Sequence, residues 1–222
     1  MEKECNQKVF KPKDIKNSNI LPGDPRGFPD ESFNSTCVFI DAGFVSKVSR
    51  HLGNGEFLFY DIEKFAKNLA KKNNLNCKKI FYYTAPPFHQ YNPTKYEEKK
   101  KEGYDKFIEK LKKKGVVVRE GRCQRLKVDG KFEYHQKAVD ILLAMDLMDV
   151  TSYKDVKKII LLTSDSDFVP VVKRLEEKGV RTILFTFYLK GRDVMFSRSN
   201  YLIKSVHKYR VLTKQDFDDS PL

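Results

Sequence analysis

Four apolar residues, Ile159, Ile160, Leu161 and Leu162, run without interruption into Thr163-Ser164-Asp165-Ser166-Asp167-Phe168. A continuous run of this kind suits a strand buried on both faces of a parallel sheet rather than a half-exposed one. Parallel strands need long crossover connections, so the chain is directed toward an α/β architecture. In open α/β sheets, ligands bind in the crevice beyond the carboxyl ends of the strands. Asp165 and Asp167 stand at such an end. Two carboxylates placed there have little reason to sit together unless a cation joins them, so the spacing points to an acidic, metal-dependent site.

The rest of the chain supports alternation of strand and helix. Cys37–Ile40 predicts a first strand, running into Asp41-Ala42-Gly43. Ile62, Phe65, Ala66, Leu69 and Ala70 recur at helical spacing behind Asp61, a good N-cap type. Lys79–Thr84 reads as a second strand stopped by Pro86-Pro87, and a lysine-rich helix over 94–114 is closed by Gly115. Val116–Val118 makes a third strand. Asp129-Gly130 suits a type I′ turn joining Arg122–Val128 to Lys131–Tyr134. A helix over 135–148, a strand over 158–163, a helix over 168–178 closed by Gly179 and a strand over 181–186 follow, with the stretch to about Tyr209 partly helical. The expected fold is a three-layer α/β/α sandwich with a mostly parallel central sheet, spanning 36–210. An irregular arm punctuated by Pro12, Pro22, Pro25 and Pro29 precedes it over 1–35, and a polar tail follows over 211–222.

At 222 residues the chain can bury a sizeable core, and its net charge of +13 favours polyanionic partners. A lysine-rich soluble protein would carry the same charge without such a partner, so charge alone does not decide. Cys5, Cys37, Cys77 and Cys123 are scattered, without the spacing of a zinc site or disulfide framework. No apolar run approaches the roughly 20 residues that span a bilayer, and Met1–Lys16 lacks a signal-peptide core. The expectation is a cytoplasmic protein with no membrane partner. The absence of GxGxxG, P-loop and GxSxG motifs argues against dehydrogenase, P-loop ATPase and serine hydrolase chemistry.

Other acids extend the pair. Asp41 follows the first strand. In the helix expected over 135–148, Lys137 and Asp140 would lie three positions apart on one face, beside an apolar surface of Ile141, Leu142 and Met145. Asp146 would be turned away and ranks second. Hard cations such as Mg²⁺ or Mn²⁺ take one or two carboxylates and complete their shell with water and phosphate. Such a centre suits in-line phosphodiester displacement. Each acid also has an ordinary role open to it: Asp167 or Ser166 as a helix cap, Asp41 as a turn former, Asp140 as an ion-pair partner of Lys137. Lys99 and Lys100 on the basic helix, and Arg119, Arg122 and Arg125 around the hairpin, are candidates for nucleic-acid contact. Tyr82, Tyr83, Phe88, His89 and Tyr91 flank Pro86-Pro87, where aromatic faces beside cations could stack unpaired bases.

Three blocks resemble the LabA-like NYN domain family, relatives of the PIN-like nucleases. They are Val38-Phe39-Ile40-Asp41-Ala42-Gly43, then Lys137-Ala138-Val139-Asp140 with Leu143-Ala144-Met145-Asp146, and Leu161-Leu162-Thr163-Ser164-Asp165-Ser166-Asp167-Phe168-Val169-Pro170. The resemblance covers about 36–205 and implies a PIN-like sandwich and metal-dependent endoribonuclease activity on RNA, expected to be single-stranded. It carries catalytic and metal-holding roles onto Asp41, Asp140, Asp165 and Asp167, with Mg²⁺ or Mn²⁺ as cofactor. Ser164, Lys137 and Asp146 are supporting candidates. One departure stands out: Phe44 occupies a position where many members carry Asn. The alternative to a nuclease is therefore a non-catalytic RNA-binding or regulatory module of the same fold. A phosphatase or glycosyltransferase would also use an acid-x-acid pair, but the former wants it after the first strand and the latter a larger domain. Homo-oligomerisation is left open by the sequence.

Overall fold

The computed structural model describes residues 34–189 and 196–222. The arm expected over 1–35 lies outside them except for Asn34 and Ser35. Six strands form one sheet in which every neighbouring pair is parallel. They are β1 (Ser35–Asp41), β2 (Asn76–Thr84), β3 (Val117–Glu120), β6 (Val156–Leu162), β7 (Arg181–Thr186) and β8 (Lys208–Val211). Two more, β4 (Arg122–Val128) and β5 (Lys131–Lys137), make a separate antiparallel hairpin. The sheet order is β3-β2-β1-β6-β7-β8. With the hairpin set aside, this is the doubly wound order in which the winding direction reverses between β1 and β6.

Helices cover both faces, giving the expected three layers. On one side lie α1 (Ala42–Leu52), α2 (Ile62–Lys71), α3 (Lys95–Lys113) and α7 (Lys214–Asp218), contributing Val45, Phe65, Leu111 and Phe217 to a shared core. On the other lie α4 (Val139–Asp149), α5 (Val169–Glu177) and α6 (Asn200–Ser205), contributing Leu143, Val172 and Leu202. The apolar quartet of β6 divides accordingly. Ile160 and Leu162 face the first layer, Ile159 and Leu161 the second. Val38 and Ile40 of β1 alternate with Cys37 and Phe39 in the same way. Burial on both faces is why these strands read as unbroken apolar runs.

The structure departs from expectation in three places. The residues expected to open a helix at His135 continue the hairpin instead, because β5 pairs along its whole length from Lys131 to Lys137. Ala138 then takes a left-handed conformation (φ 68°, ψ −2°) and α4 starts at Val139. Lys137 is thus a strand residue and shares no helical face with Asp140. Of the apolar residues of α4, Leu143 and Leu147 point inward, while Ile141 and Met145 are exposed. Second, α1 begins directly at Ala42, where the sequence signals only the end of a strand. Third, residues 211–222 are not a loose tail: Phe217 is buried against Phe65 and Tyr60. Among the described residues no helix is long and apolar enough to cross a membrane.

Candidate active site

The reversal point lies at the carboxyl ends of β1 and β6, and each strand is closed or followed there by an acid that caps the next helical turn, Asp41 ending β1 and Asp165 three residues beyond β6. Asp41 is the N-cap of α1, its Oδ1 accepting from the Phe44 amide at 3.1 Å. Asp165 Oδ1 accepts from the Asp167 amide at 2.9 Å, capping the single turn Ser166–Phe168 that leads into α5. Capping orients each carboxylate with its own chain and uses only part of its accepting capacity. The buried hydroxyl of Thr163 links the two segments: it donates toward Asp41 Oδ2 at 3.4 Å and accepts from the Asp165 amide at 3.2 Å.

Asp140 joins from the first turn of α4. Its carboxyl is held above the ordinary range, first by removal from water and then by the negative charges of Asp165 and Asp167. Asp41 is raised as well, chiefly by burial, with Asp140 adding to it against the lowering effect of the Phe44 amide. Asp140 therefore lies within electrostatic reach of each of the other three acids. Among the described residues none of them forms an ion pair with a lysine, arginine or histidine. Nor do three acidic, histidine or cysteine side chains of the described residues approach closely enough to share one metal ion. The donors suit a hard cation held by one or two carboxylates, with water completing its shell.

Gly43 leaves room beside this cluster. A Cβ there would stand 3.3 Å from Asp41 Oδ1 and 3.7 Å from Gln136 Oε1. Gln136 comes from β5, on the hairpin face that also carries Cys123, Arg125 and Tyr134. That face closes one side of a groove of about 840 Å³, lined also by Ala42 and Gly43, by Pro86, Pro87, Phe88 and Gln90 of the following loop and by residues of α3.

The remaining sequence candidates fall into two groups. Lys100 and Arg125 line the groove. Arg125 is stacked between the rings of Phe88 and Phe132, each 4.5 Å from its guanidinium carbon. Lys99 is exposed on α3 but is not part of the lining. Arg122 and Lys137 pair across the hairpin base on its other face. Arg119 and Asp146 are not brought to the cluster; they hold each other in a two-point ion pair with Nε–Oδ2 and Nη2–Oδ1 both 2.8 Å. Ser164 is half-buried between the acids, but the bridging hydroxyl belongs to Thr163. Thr163 and Gln136 were missed as site residues. A buried hydroxyl ending an apolar strand needs an acceptor, which was a usable signal; nothing local marked Gln136, whose position depends on hairpin register.

The model of the NYN domain matches residues 35–212, and the chain belongs to that family. NYN domains have the PIN-like nuclease fold, are generally ribonucleases and generally use divalent metals. At this general level the protein has the nuclease fold of a family whose members are typically ribonucleases. No curated protein matches the chain. Among solved structures it is similar to a crystal structure of a protein of unknown function from Vibrio parahaemolyticus, with a TM-score of 0.56 and 15% identity over 86% of this chain and 99% of that one. Identity this low speaks to fold alone.

Proposed function

We propose that the chain is a metal-dependent endoribonuclease of LabA-like type that hydrolyses RNA phosphodiester bonds at Asp41, Asp140, Asp165 and Asp167. One observation carries this reading: four carboxylates gather at the switch point of the sheet with two of them held above their ordinary range and no paired cation among the described residues. Like charges accumulate at such cost where a positive ligand offsets them. Asp41 and Asp140 are the residues to hold Mg²⁺ or Mn²⁺, with Asp165 and Asp167 beside them, directly or through water. When bound, the ion supplies charge neutralisation and Lewis acidity to the phosphodiester. The Asp41 and Asp165 carboxylates are aimed by their capping bonds, and Thr163 keeps the two strand ends in register. Hydrolysis with departure of the 3′ oxygen leaves 5′-phosphate and 3′-hydroxyl ends.

A second reading, an RNA-binding module without turnover, is favoured by Phe44. Its side chain is buried in the core, so no amide is offered from that position. Cleavage of labelled single-stranded RNA by wild type and Asp165→Asn, in Mg²⁺, Mn²⁺ or EDTA, decides between them. The nuclease reading expects metal-dependent cleavage that the variant loses while keeping its RNA affinity. Salt-sensitive binding with no cleavage in any metal supports the module instead.

A further inference from the structure

We infer that the groove leading away from Asp41 is the entry path for a single RNA strand and seats an unpaired base between Tyr96 and Tyr134. This deepens the nuclease reading and takes from it that the ligand is RNA.

Ala42 and Gly43, the two residues that follow Asp41, line the groove, and a Cβ on Gly43 would stand 3.3 Å from Asp41 Oδ1, so a strand lying in the groove passes beside that acid. Its volume of about 840 Å³ falls within the range of about 300–1,000 Å³ typical of sites that enclose a small organic group. Two of its aromatic side chains stand free on different elements. Tyr96, on the first turn of α3, is 73% exposed, and Tyr134, on β5, is 56% exposed. The only ring that Tyr134 meets among the described residues is Phe88, tilted at 54° with centroids 5.6 Å apart. Exposed aromatic faces inside a concavity are apolar surface kept from water only by a ligand, and a nucleobase is the π-faced ligand an RNA strand offers.

The wall that carries Tyr134 is fixed in advance. Arg125 sits between Phe88 of the loop and Phe132 of the hairpin, and its Nη1 donates to Gln90 Oε1 at 3.4 Å. This cation bolts loop to hairpin, which lowers the ordering cost of binding. Charge is present as well. Lys101, Lys106 and Lys113 of α3 are tied to acids one turn away, whereas Lys100, in the groove, forms no ion pair among the described residues. It is placed to meet a phosphate flanking the seated base. A base inside a duplex has both faces covered by its neighbours, so this arrangement selects unpaired strands.

The test is fluorescence anisotropy in EDTA, where no cleavage intervenes, with a short labelled single-stranded RNA, its duplex form and the same strand built with abasic riboses. Wild type should bind the single strand tightest. Tyr96→Ala and Tyr134→Ala should each weaken it by roughly 5- to 150-fold, the loss of one base–aromatic stack. Tyr96→Phe and Tyr134→Phe should bind within about twofold of wild type, because phenylalanine keeps the stacking face. The abasic strand should bind wild type weakly and show no further loss with the alanine variants. Unchanged affinity in the alanine variants, or equal affinity of wild type for abasic and complete strands, overturns the inference. Tight, tyrosine-dependent binding by a protein that cleaves in no metal leaves the groove standing and removes the nuclease reading. Cleavage with no tyrosine dependence of binding does the reverse.

Discussion

Arg119 grips Asp146 with both ends of its guanidinium, and Tyr83 donates its hydroxyl to the same carboxylate at 2.9 Å. The three side chains tie β2, β3 and α4 together, and none of the four clustered acids is among their hydrogen-bond partners. Asp146 is buried and Tyr83 fully so, while the Arg119 side chain is 46% exposed. Removing the carboxylate strands a buried phenol but leaves the cation able to reach water. Asp146→Ala should therefore cost about 2–3 kcal/mol in urea denaturation, somewhat less than a fully buried pair. RNA affinity and metal-dependent turnover of the folded variant should stay near wild type. Lost turnover with unchanged stability would instead place Asp146 among the reacting groups.

The cluster itself predicts the opposite sign. Asp140 is raised by removal from water and by Asp165 and Asp167. A carboxyl raised in the folded chain binds its proton more tightly there than when unfolded. Its contribution to stability is present below the ordinary value of 3.8 and is lost as pH rises through the folded value. Asp140→Asn removes that loss, so the variant should melt above wild type at pH 7 in EDTA. For a group open to water the gain is at most about 1 kcal/mol, or roughly 2–4 °C. It should shrink as pH falls toward 3.8. Excess Mg²⁺ should also narrow the gap, by stabilising wild type alone. Equal melting at pH 7 would mean that Asp140 feels no repulsion.

Those two aspartates mark how far the sequence could be read. The apolar quartet announced a buried parallel strand, and the acid pair behind it stands beyond that strand's carboxyl end. Asp61 and Gly115 bounded helices as capping residues do. What failed was position set at a distance. Whether 135–137 extends the expected strand or opens the helix depends on pairing with 122–124, and helical periodicity over a few residues cannot report a partner strand. The same pairing brings Gln136 beside Gly43 and removes Lys137 from the face of Asp140.

The chain's end failed for a related reason. Residues 211–222 are polar on average, yet Leu212 and Phe217 are buried in the core. Phe217 is 1% exposed, stacked on Phe65 at 4.9 Å and edge-on to Tyr60 at 4.8 Å. Lys72 holds the same helix through Asp216 and Asp219. Phe217→Ala should cost about 3–5 kcal/mol, the range for a large buried aromatic. A loss below about 1 kcal/mol in chemical denaturation would show that α7 is an appendage after all.

Ala138 makes the last case, because it joins the extended end of β5 to the acid that follows. Its left-handed backbone turns the chain out of β5 and into α4 in a single residue, which sets Asp140 in the helix's first turn. An L-residue in that region costs about 1–2 kcal/mol, which glycine avoids. Glycine also loses more backbone freedom on folding, about 0.5–1 kcal/mol. Ala138→Gly should therefore be more stable by about 0.5–1 kcal/mol, melting roughly 1–4 °C higher. Strain persists where surrounding structure over-determines it, commonly at functional sites. If that strain fixes Asp140 against Asp165 and Asp167, the more stable variant should cleave RNA more slowly at saturating metal. A higher melting temperature with unchanged turnover would reduce Ala138 to a connector, and a lower one would mean that the methyl group packs favourably where it stands.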